Sequence, residues 1–596
     1  MRSVRPGTVF LSTQALALWL GLMAFPARAE NPALSPLDPR PVETTPASGN
    51  AAGRGPGFMA MSPAHGGSFV DTPEESTNGA APAEAVPVEE AAPAPSLDTA
   101  AQPEPPNALP AVNVAVKTAL EARSGVHDQA LPRREREAIS AFYAARGFSP
   151  LWWTDGKPNP EAAPVIKRLQ HAADDGLEVK TIPRTLAAAS DEDIAATDIA
   201  LTDAVVVYGR QASGGRVDPH AISKLIGETP EVADPAIILA LVATAGESAG
   251  DELQKFNPPQ KAYASLRDKL RQLRHGRSPA AHDAAIPAGP VLRTGMRDPR
   301  VPLIRARLSV EDAAEPAIQD IVYDTKVAAA VADFQKANGL PPSGTLTART
   351  VAALSGAQSS YLEAEIIANM ERWRWMPRDL GETRIEVNIP DFEARVIDNG
   401  AVIHRARVIV GKETTPTPVF SDTMKFLIVN PYWNVPQSII RKEMLPKAAG
   451  DPNYFSRLGY QVSSSAGHLT VRQPPGERNA LGRIKFMFPN DFSVYMHDTP
   501  TRKLFASSKR AFSHGCVRVD NPFQFAVIVL GKGWSEQRVQ KLIGGKERYV
   551  YLPKPLPVHL EYFTAYVDDA GELQLRDDLY GYSHRVKAAL GLEGNS

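Results

Sequence analysis

Cysteine is nearly absent from this chain: a single thiol, Cys516, occurs in 596 residues. An intramolecular disulfide framework is therefore excluded. Net charge is lacking as well. The formal value is -2 with 22% charged residues, so nothing in the global electrostatics calls for nucleic acid or an anionic membrane surface. Aromatic residues are almost missing from Glu30 to about Val126, where APAEAVPVEEAAPAPSLDTAAQPEPPNALP is representative text. Such a segment buries too little apolar surface to offset the entropy of ordering it, and its interspersed prolines oppose a continuous helix. A disordered tether is expected over residues 30–127.

Ahead of the tether stands MRSVRPGTVFLSTQALALWLGLMAFPARAE, with Arg2 and Arg5 before an apolar run from about Val9 to Phe25 and an Ala27-Arg28-Ala29 ending. This is the pattern of a secretory signal peptide over residues 1–29. An uncleaved anchor is the alternative, because the run is near the lower limit for spanning a bilayer. Either way the chain is exported, and membrane contact comes only through an uncleaved signal. No cysteine lies near residue 29, so lipid attachment at a processed cysteine is excluded. Export gives the missing cysteines a meaning. In an oxidising compartment thiols are paired or discarded, so one retained thiol without a partner points to chemistry, although a lone cysteine is otherwise commonly a small buried hydrophobe.

A chain this long is expected to hold several domains. Helical periodicity begins near Leu131 and recurs at Arg133 to Arg146, Ala162 to Ala173, Ile199 to Gln211, Pro235 to Ala249 and Gln260 to His275, which predicts an all-helical region over residues 128–286. Trp152 and Trp153 beside a helix end read as core packing before they read as a ligand platform. Short amphipathic helices with Gly and Pro turns then fill residues 287–358. A further helix over residues 359–380, containing NMERWRWMP, is expected to pack back on the first helical region, which makes the small unit an insertion.

From Thr383 the period changes to two. Ile385, Val387 and Ile389 alternate, Phe392 to Val410 reads as a hairpin turning at Asp398-Asn399-Gly400, and strands are expected at Lys425 to Val429, Lys485 to Phe488 and Ser493 to His497. Residues 440–473 are polar and weakly periodic, an excursion over one face of the sheet that serves either as a lid or as surface only. The β-rich domain is expected over residues 381–548, with a C-terminal extension over 549–596.

The chemistry concentrates in VYMHDTPTRKLFASSKRAFSHGCVRVD, residues 494–520. His514 precedes the thiol by two positions and His497 by nineteen. A strand ending at His497 and a loop returning to Cys516 would bring imidazole to sulfur, the arrangement that generates a thiolate nucleophile. After Cys516, Asp520 or Asn521 reads as the N-cap of a helix with Pro522 at its first position. A zinc reading of His497, His514 and Cys516 lacks a cysteine pair or an acidic ligand at a recognised spacing. No cofactor is expected.

Ser513-His514-Gly515-Cys516, preceded by His497 with fourteen residues between Asp498 and Ser513, resembles the signature of L,D-transpeptidases of the YkuD-type fold. Asp498 stands where the family has glycine, and Arg518 where it has asparagine. Leu308, Tyr323-Asp324, Phe334-Gln335, Gly339-Leu340, Gly344 and Thr350 to Leu354 resemble a three-helix peptidoglycan-binding domain. Together with VNPYWNVPQSI, VRQPPGERNALGRIKF and YFTAYVDDAGELQLRDDLYG, these features are similar to the large periplasmic subgroup with a helical scaffold domain. The resemblance implies a multidomain α+β periplasmic protein that forms 3-3 cross-links between stem peptides. Cys516 would be the nucleophile, His497 the proton donor and acceptor, His514 a supporting group, and Gly515 a backbone oxyanion donor. His497 would be oriented by the carbonyl of the following residue, so Asp498 is not assigned as a triad acid. Arg518, Ser513, Tyr495, Trp433, Asn434 and Arg472 are candidates for substrate binding, Arg518 toward a stem carboxylate or in a structural salt bridge. Expected partners are the stem peptides and glycan of peptidoglycan and the synthases that polymerise the glycan. A hydrolase in which water replaces the acceptor amine, and a wall-binding scaffold with an idle thiol, remain the alternatives.

Overall fold

The computed structural model describes residues 109–123, 131–184, 186–275, 286–310, 321–338, 340–356, 358–465 and 468–592. The expected signal peptide and most of the expected tether lie outside these residues. One part of the tether does not, and it corrects the expectation: Ala111–Arg123 is a helix (α1). These thirteen residues contain no proline, and Asn113, Val116 and Leu120 share its buried face at spacings of three and four. Averaged over the Pro-rich surroundings, that face is invisible in composition.

Helix α1 packs on the long helix Asp191–Gly214 (α2), whose N-terminus is capped by Ser190 accepting from the Asp193 N–H. Around α2 a core forms that includes Tyr143, Trp152, Val165, Leu169, Val205, Tyr208 and Leu239. Trp152 is fully buried there, with its Nε1 donating to Thr202 Oγ1 at 2.9 Å. Packing, the first reading of the tryptophan pair, is what Trp152 does.

Helix Lys261–His275 (α3) and helix Gln358–Trp375 (α4) pack against each other, and the chain between them builds a separate small core from Leu292, Val301, Ile304, Tyr323, Val327, Val331 and Leu346. The small unit is thus inserted between two helices that belong together. α4 bridges two bodies. Arg374 donates to Tyr263 Oη of α3 at 2.9 Å, while Arg372 Nη2 donates to Ser583 Oγ at 2.9 Å near the C-terminal end.

Nine strands form one sheet: Thr383–Asn388 (β1), Glu393–Asp398 (β2), Ala401–Gly411 (β3), Phe420–Val429 (β4), Ile484–Met487 (β5), Met496–His497 (β6), Ala511–Ser513 (β7), Val517–Val519 (β8) and Arg548–Glu561 (β9). Their order is β7-β3-β8-β6-β5-β4-β9-β1-β2, and β2 also pairs with β3, so the sheet closes on itself. The β2–β3 hairpin turns through Asn399 (φ 48°) and Gly400 (φ 79°), the left-handed pair that a two-residue hairpin requires. β9 lies between β4 and β1. Residues from 549 on are therefore not an extension. They supply a central strand and the helix Tyr582–Ala589, which packs on α4. Alternate residues of the sheet, among them Val387, Val408, Leu427, Phe486, Met496, Val517 and Leu560, join Phe525 and Ala526 of the helix Pro522–Leu530 in the core. That helix starts where expected, but Asn521 (φ 49°) gives no side-chain cap, and Asp520 pairs with Arg407 instead.

The excursion between β4 and β5 is larger than expected. Trp433–Asn434, His468–Gln473 and Gln461–Ser465 form their own three-stranded sheet. Over it lie helical residues 437–450, and Val435, Ile440, Met444 and Val471 make a private core. Its periodicity is weak in sequence because the core is shared between one helix and one small sheet.

Candidate active site

Strand alternation sorts the site. Leu427 and Val429 on β4, Ile484 and Phe486 on β5, Met496 on β6, and Val517 and Val519 on β8 face the core. Their neighbours Ile428, Lys485, His497 and Arg518 therefore face the opposite side. The register aligns them: Arg518 is opposite His497, His497 opposite Lys485, Lys485 opposite Ile428, and Ile428 opposite Tyr549. Cys516 and Tyr495, each two positions from a member of this row, share its side.

Cys516 is half-buried, and burial pushes its thiol up. Three neighbours act against that shift. Tyr495 favours the thiolate through its backbone first and its hydroxyl second, and the charges of Lys485 and Arg518 act in the same direction. The Lys485 ammonium lies 3.7 Å from the centroid of the Tyr495 ring, and burial lowers its own pKa. His497 is buried, and its Nδ1 donates to the carbonyl of Asp498 at 2.5 Å. Burial first, then the charge of Arg518, brings its pKa down to about 3, against the carbonyls of Asp498 and Leu481. The imidazole is therefore neutral, with its tautomer set by the Nδ1 bond and Nε2 left as the basic nitrogen.

The loop after His497 is held by Asp498. One carboxylate oxygen accepts from the Arg483 N–H at 2.8 Å, the other from the Thr499 N–H at 2.7 Å and from Arg502 at 3.0 Å. The carboxyl packs directly on Gly482 (φ 64°), where a Cβ would come within 2.4 Å of it. Asp498 thus fixes the backbone whose carbonyl orients His497.

Residues 382–532 match the YkuD family, described as an L,D-transpeptidase catalytic domain. This segment is a YkuD-type domain. Residues 137–270 match a scaffold domain, and residues 297–354 match a family described as "Putative peptidoglycan binding domain". A curated "Putative L,D-transpeptidase" of Haemophilus influenzae is 33% identical over 252 residues, which cover 39% of this chain and 51% of that protein. The chain spans about half the length of that relative. Among solved structures, an L,D-transpeptidase fragment from Xylanimonas cellulosilytica is 18% identical, with 46% of this chain and 99% of that one covered, at a TM-score of 0.16. One from Mycobacterium smegmatis is 16% identical, with 30% and 58% covered, also at 0.16. At such scores neither likeness adds to the assignment.

Within the YkuD-type domain, the expected site residues fall into two groups. Cys516, His497, Tyr495 and Arg518 share one side of the sheet. Arg518 has no salt bridge among the described residues; Nη1 reaches only Thr501 Oγ1 at 3.4 Å, and Nε is buried without a partner. Trp433, Asn434 and Arg472 belong to the inserted subdomain. Trp433 packs near Tyr460, Asn434 pairs with Arg472 across the small sheet, and Arg472 lies over the Tyr432 ring at 4.1 Å.

Two expectations are corrected by the loop itself. Ser513 is buried and turned inward, its Oγ donating to the Cys516 carbonyl at 2.6 Å and accepting from the Gly515 N–H at 3.1 Å. It braces the turn and does not face a substrate. The same bond occupies the Gly515 N–H expected to hold an oxyanion, and the Gly515 carbonyl accepts from Thr417 Oγ1 at 2.8 Å. His514 is exposed and donates from Nε2 to Glu443 of the inserted subdomain at 2.5 Å. Lys485 and Glu443 escaped the sequence reading. A lysine inside the apolar alternation of RIKFMF was a usable signal for the first; nothing in sequence marked the second.

Proposed function

We propose that this protein is a peptidoglycan L,D-transpeptidase that forms 3-3 cross-links through a thioester on Cys516. The observation carrying this reading is the shared side of the sheet on which the thiol, a neutral buried histidine and two cations that form no salt bridge among the described residues all lie. Cys516 Sγ attacks the carbonyl of the third residue of a donor tetrapeptide stem. The thiol proton passes to His497 Nε2 and from there to the departing amine, so D-alanine leaves and a thioester remains. An acceptor stem's side-chain amine then attacks the thioester, loses its proton to His497, and the new amide releases Cys516.

A histidine held near pKa 3 cannot store the thiol proton in the resting enzyme. The resting pair is therefore thiol and neutral imidazole, and proton transfer accompanies attack. Lys485, Arg518 and the Tyr495 hydroxyl supply the charge that stabilises sulfur as it becomes anionic. With the Gly515 N–H turned to Ser513, the oxyanion falls to the Cys516 N–H. Peptidoglycan as substrate places the protein in the cell-wall compartment, in keeping with an exported chain, and makes the glycan-polymerising synthases its suppliers.

Incubating the full chain with disaccharide tetrapeptide and analysing products by mass spectrometry tests this reading. Cross-linked dimer plus D-alanine is expected, and a carbapenem should add its mass to the wild type but not to Cys516→Ala. Tripeptide alone would mean a hydrolase, and no change an idle thiol. His497→Ala should slow acylation by roughly 10²- to 10⁴-fold; a more severe lesion in His514→Ala would move the base to His514.

A further inference from the structure

The row Arg518–His497–Lys485–Ile428 does not end at the catalytic groups. It continues to Tyr549 on β9, and one step along the strands Met487, Phe426 and Tyr551 are paired across β5, β4 and β9. Phe426 stands between the two tyrosines, its ring centroid 5.4 Å from each. Tyr549 and Tyr551 are 54% and 70% exposed, large values for aromatic side chains on a sheet whose other side is a packed core. Phe426, Ile428 and Met487 are absent from that core, as their alternation requires.

We propose that Phe426, Tyr549 and Tyr551 form a platform on which a sugar ring of the donor glycan stacks, placing the attached stem peptide across β4 and β5 toward Cys516. This rests on the transpeptidase reading of the thiol. Three observations select a sugar over another occupant. Flat aromatic faces in open water bind the apolar face of a pyranose ring without needing charge. The platform is continuous with the candidate site, on the same side of the same strands. The distance also fits. Phe426 on β4 is three strand steps from β8, which Cys516 leads into, about 14 Å at about 4.8 Å per step. The acyl-donating residue, the two stem residues before it and the lactyl group joining them to the sugar extend about 14 Å at about 3.5 Å per unit.

The test compares the full-length wild type with Tyr549→Ala/Tyr551→Ala and Tyr549→Phe/Tyr551→Phe. Donors are disaccharide tetrapeptide and free tetrapeptide, and carbapenem acylation serves as a sugar-free control. The alanine pair should raise KM for the disaccharide donor about tenfold, the value expected when one stacked ring worth about 1–1.5 kcal/mol is lost. KM for free tetrapeptide, kcat and acylation rate should stay within about twofold, and the phenylalanine pair, which keeps the rings, should behave as wild type. Equal changes for both donors, or none, overturn the platform. A wild type that turns over neither donor refutes the transpeptidase reading separately. The platform is then decided by titrating peptide-free glycan strands into both proteins, and equal affinity overturns it. Sedimentation velocity gives one more arm: a wild-type dimer that becomes monomeric in the alanine pair makes a second copy the occupant and overturns the proposal.

Discussion

Lys485 holds an ammonium in a partly buried place where, among the described residues, no carboxylate forms a salt bridge with it. A buried charge is costly, and here it acts on the Tyr495 ring and the Cys516 sulfur, with the charge of Glu547 supporting it. A neighbouring cation favours the thiolate, so removing it must raise the thiol pKa, and the sign is the same for Arg518. Lys485→Met is expected to move the rising limb of the rate-against-pH profile for thiol alkylation upward by about one unit, with reactivity near neutral pH falling about tenfold. Lys485→Arg, which keeps the charge, should recover most of it. An unmoved limb in the methionine variant would make Lys485 a packing residue. The same charges explain why His497 is held low and neutral: two cations and burial all oppose a proton there.

The inserted subdomain matters at the scale of elements. It has its own core, and among the described residues its side-chain bond to the thiol loop is that between Glu443 and His514. Both partners are substantially exposed, so the bond contributes about 0.2–1 kcal/mol. That is too little to hold the domain together and enough to bias where the insertion rests. Glu443→Ala should speed amide hydrogen exchange across residues 437–450 by about two- to fivefold, while β4 and β5 keep wild-type protection. Unchanged exchange would show that the bond does not tether the subdomain. His514, expected from its place in the motif to support the site, meets this insertion through Glu443, a partner 71 positions earlier in the chain.

In the molecule as a whole, α4 and the C-terminal residues are locked together. Glu365 on α4 is buried against Lys587 at 2.6 Å, and Asn369 and Arg372 reach Thr564 and Ser583. Removing one partner of a buried pair leaves the other charge uncompensated, so Lys587→Met should cost about 3–5 kcal/mol in chemical denaturation of the full chain. The inserted unit carries its own buried pair, Arg300 with Asp298 at 2.8 Å, and a core separate from that of α3 and α4, so replacing residues 287–356 with a short flexible linker should leave that denaturation transition nearly unmoved. A large loss on deletion would mean that the unit supports α3 and α4 rather than interrupting them.

Local patterns were legible from sequence wherever periodicity and turn chemistry agree. These were the helices from Arg133 to His275, the Asn399-Gly400 hairpin, the helix at Pro522, and the Cys516 motif with its upstream histidine. Sequence missed what depends on partners distant along the chain. Residues 549–561 lack a signal saying they enter the sheet between β4 and β1, because pairing partners are set by closure of the sheet and not by their own composition. Ser513 and Gly515 looked like substrate-facing groups until the turn aimed their polar atoms at each other. Side-chain alternation could place Lys485 on one side of its strand, but only the register across β8, β6, β5, β4 and β9 put it beside the thiol and ran the same side outward to Tyr549 and Tyr551. Sequence by itself determined which residues can do chemistry, because chemistry resides in residue type. Tertiary structure decided which of them face one another, because that depends on strand order and register.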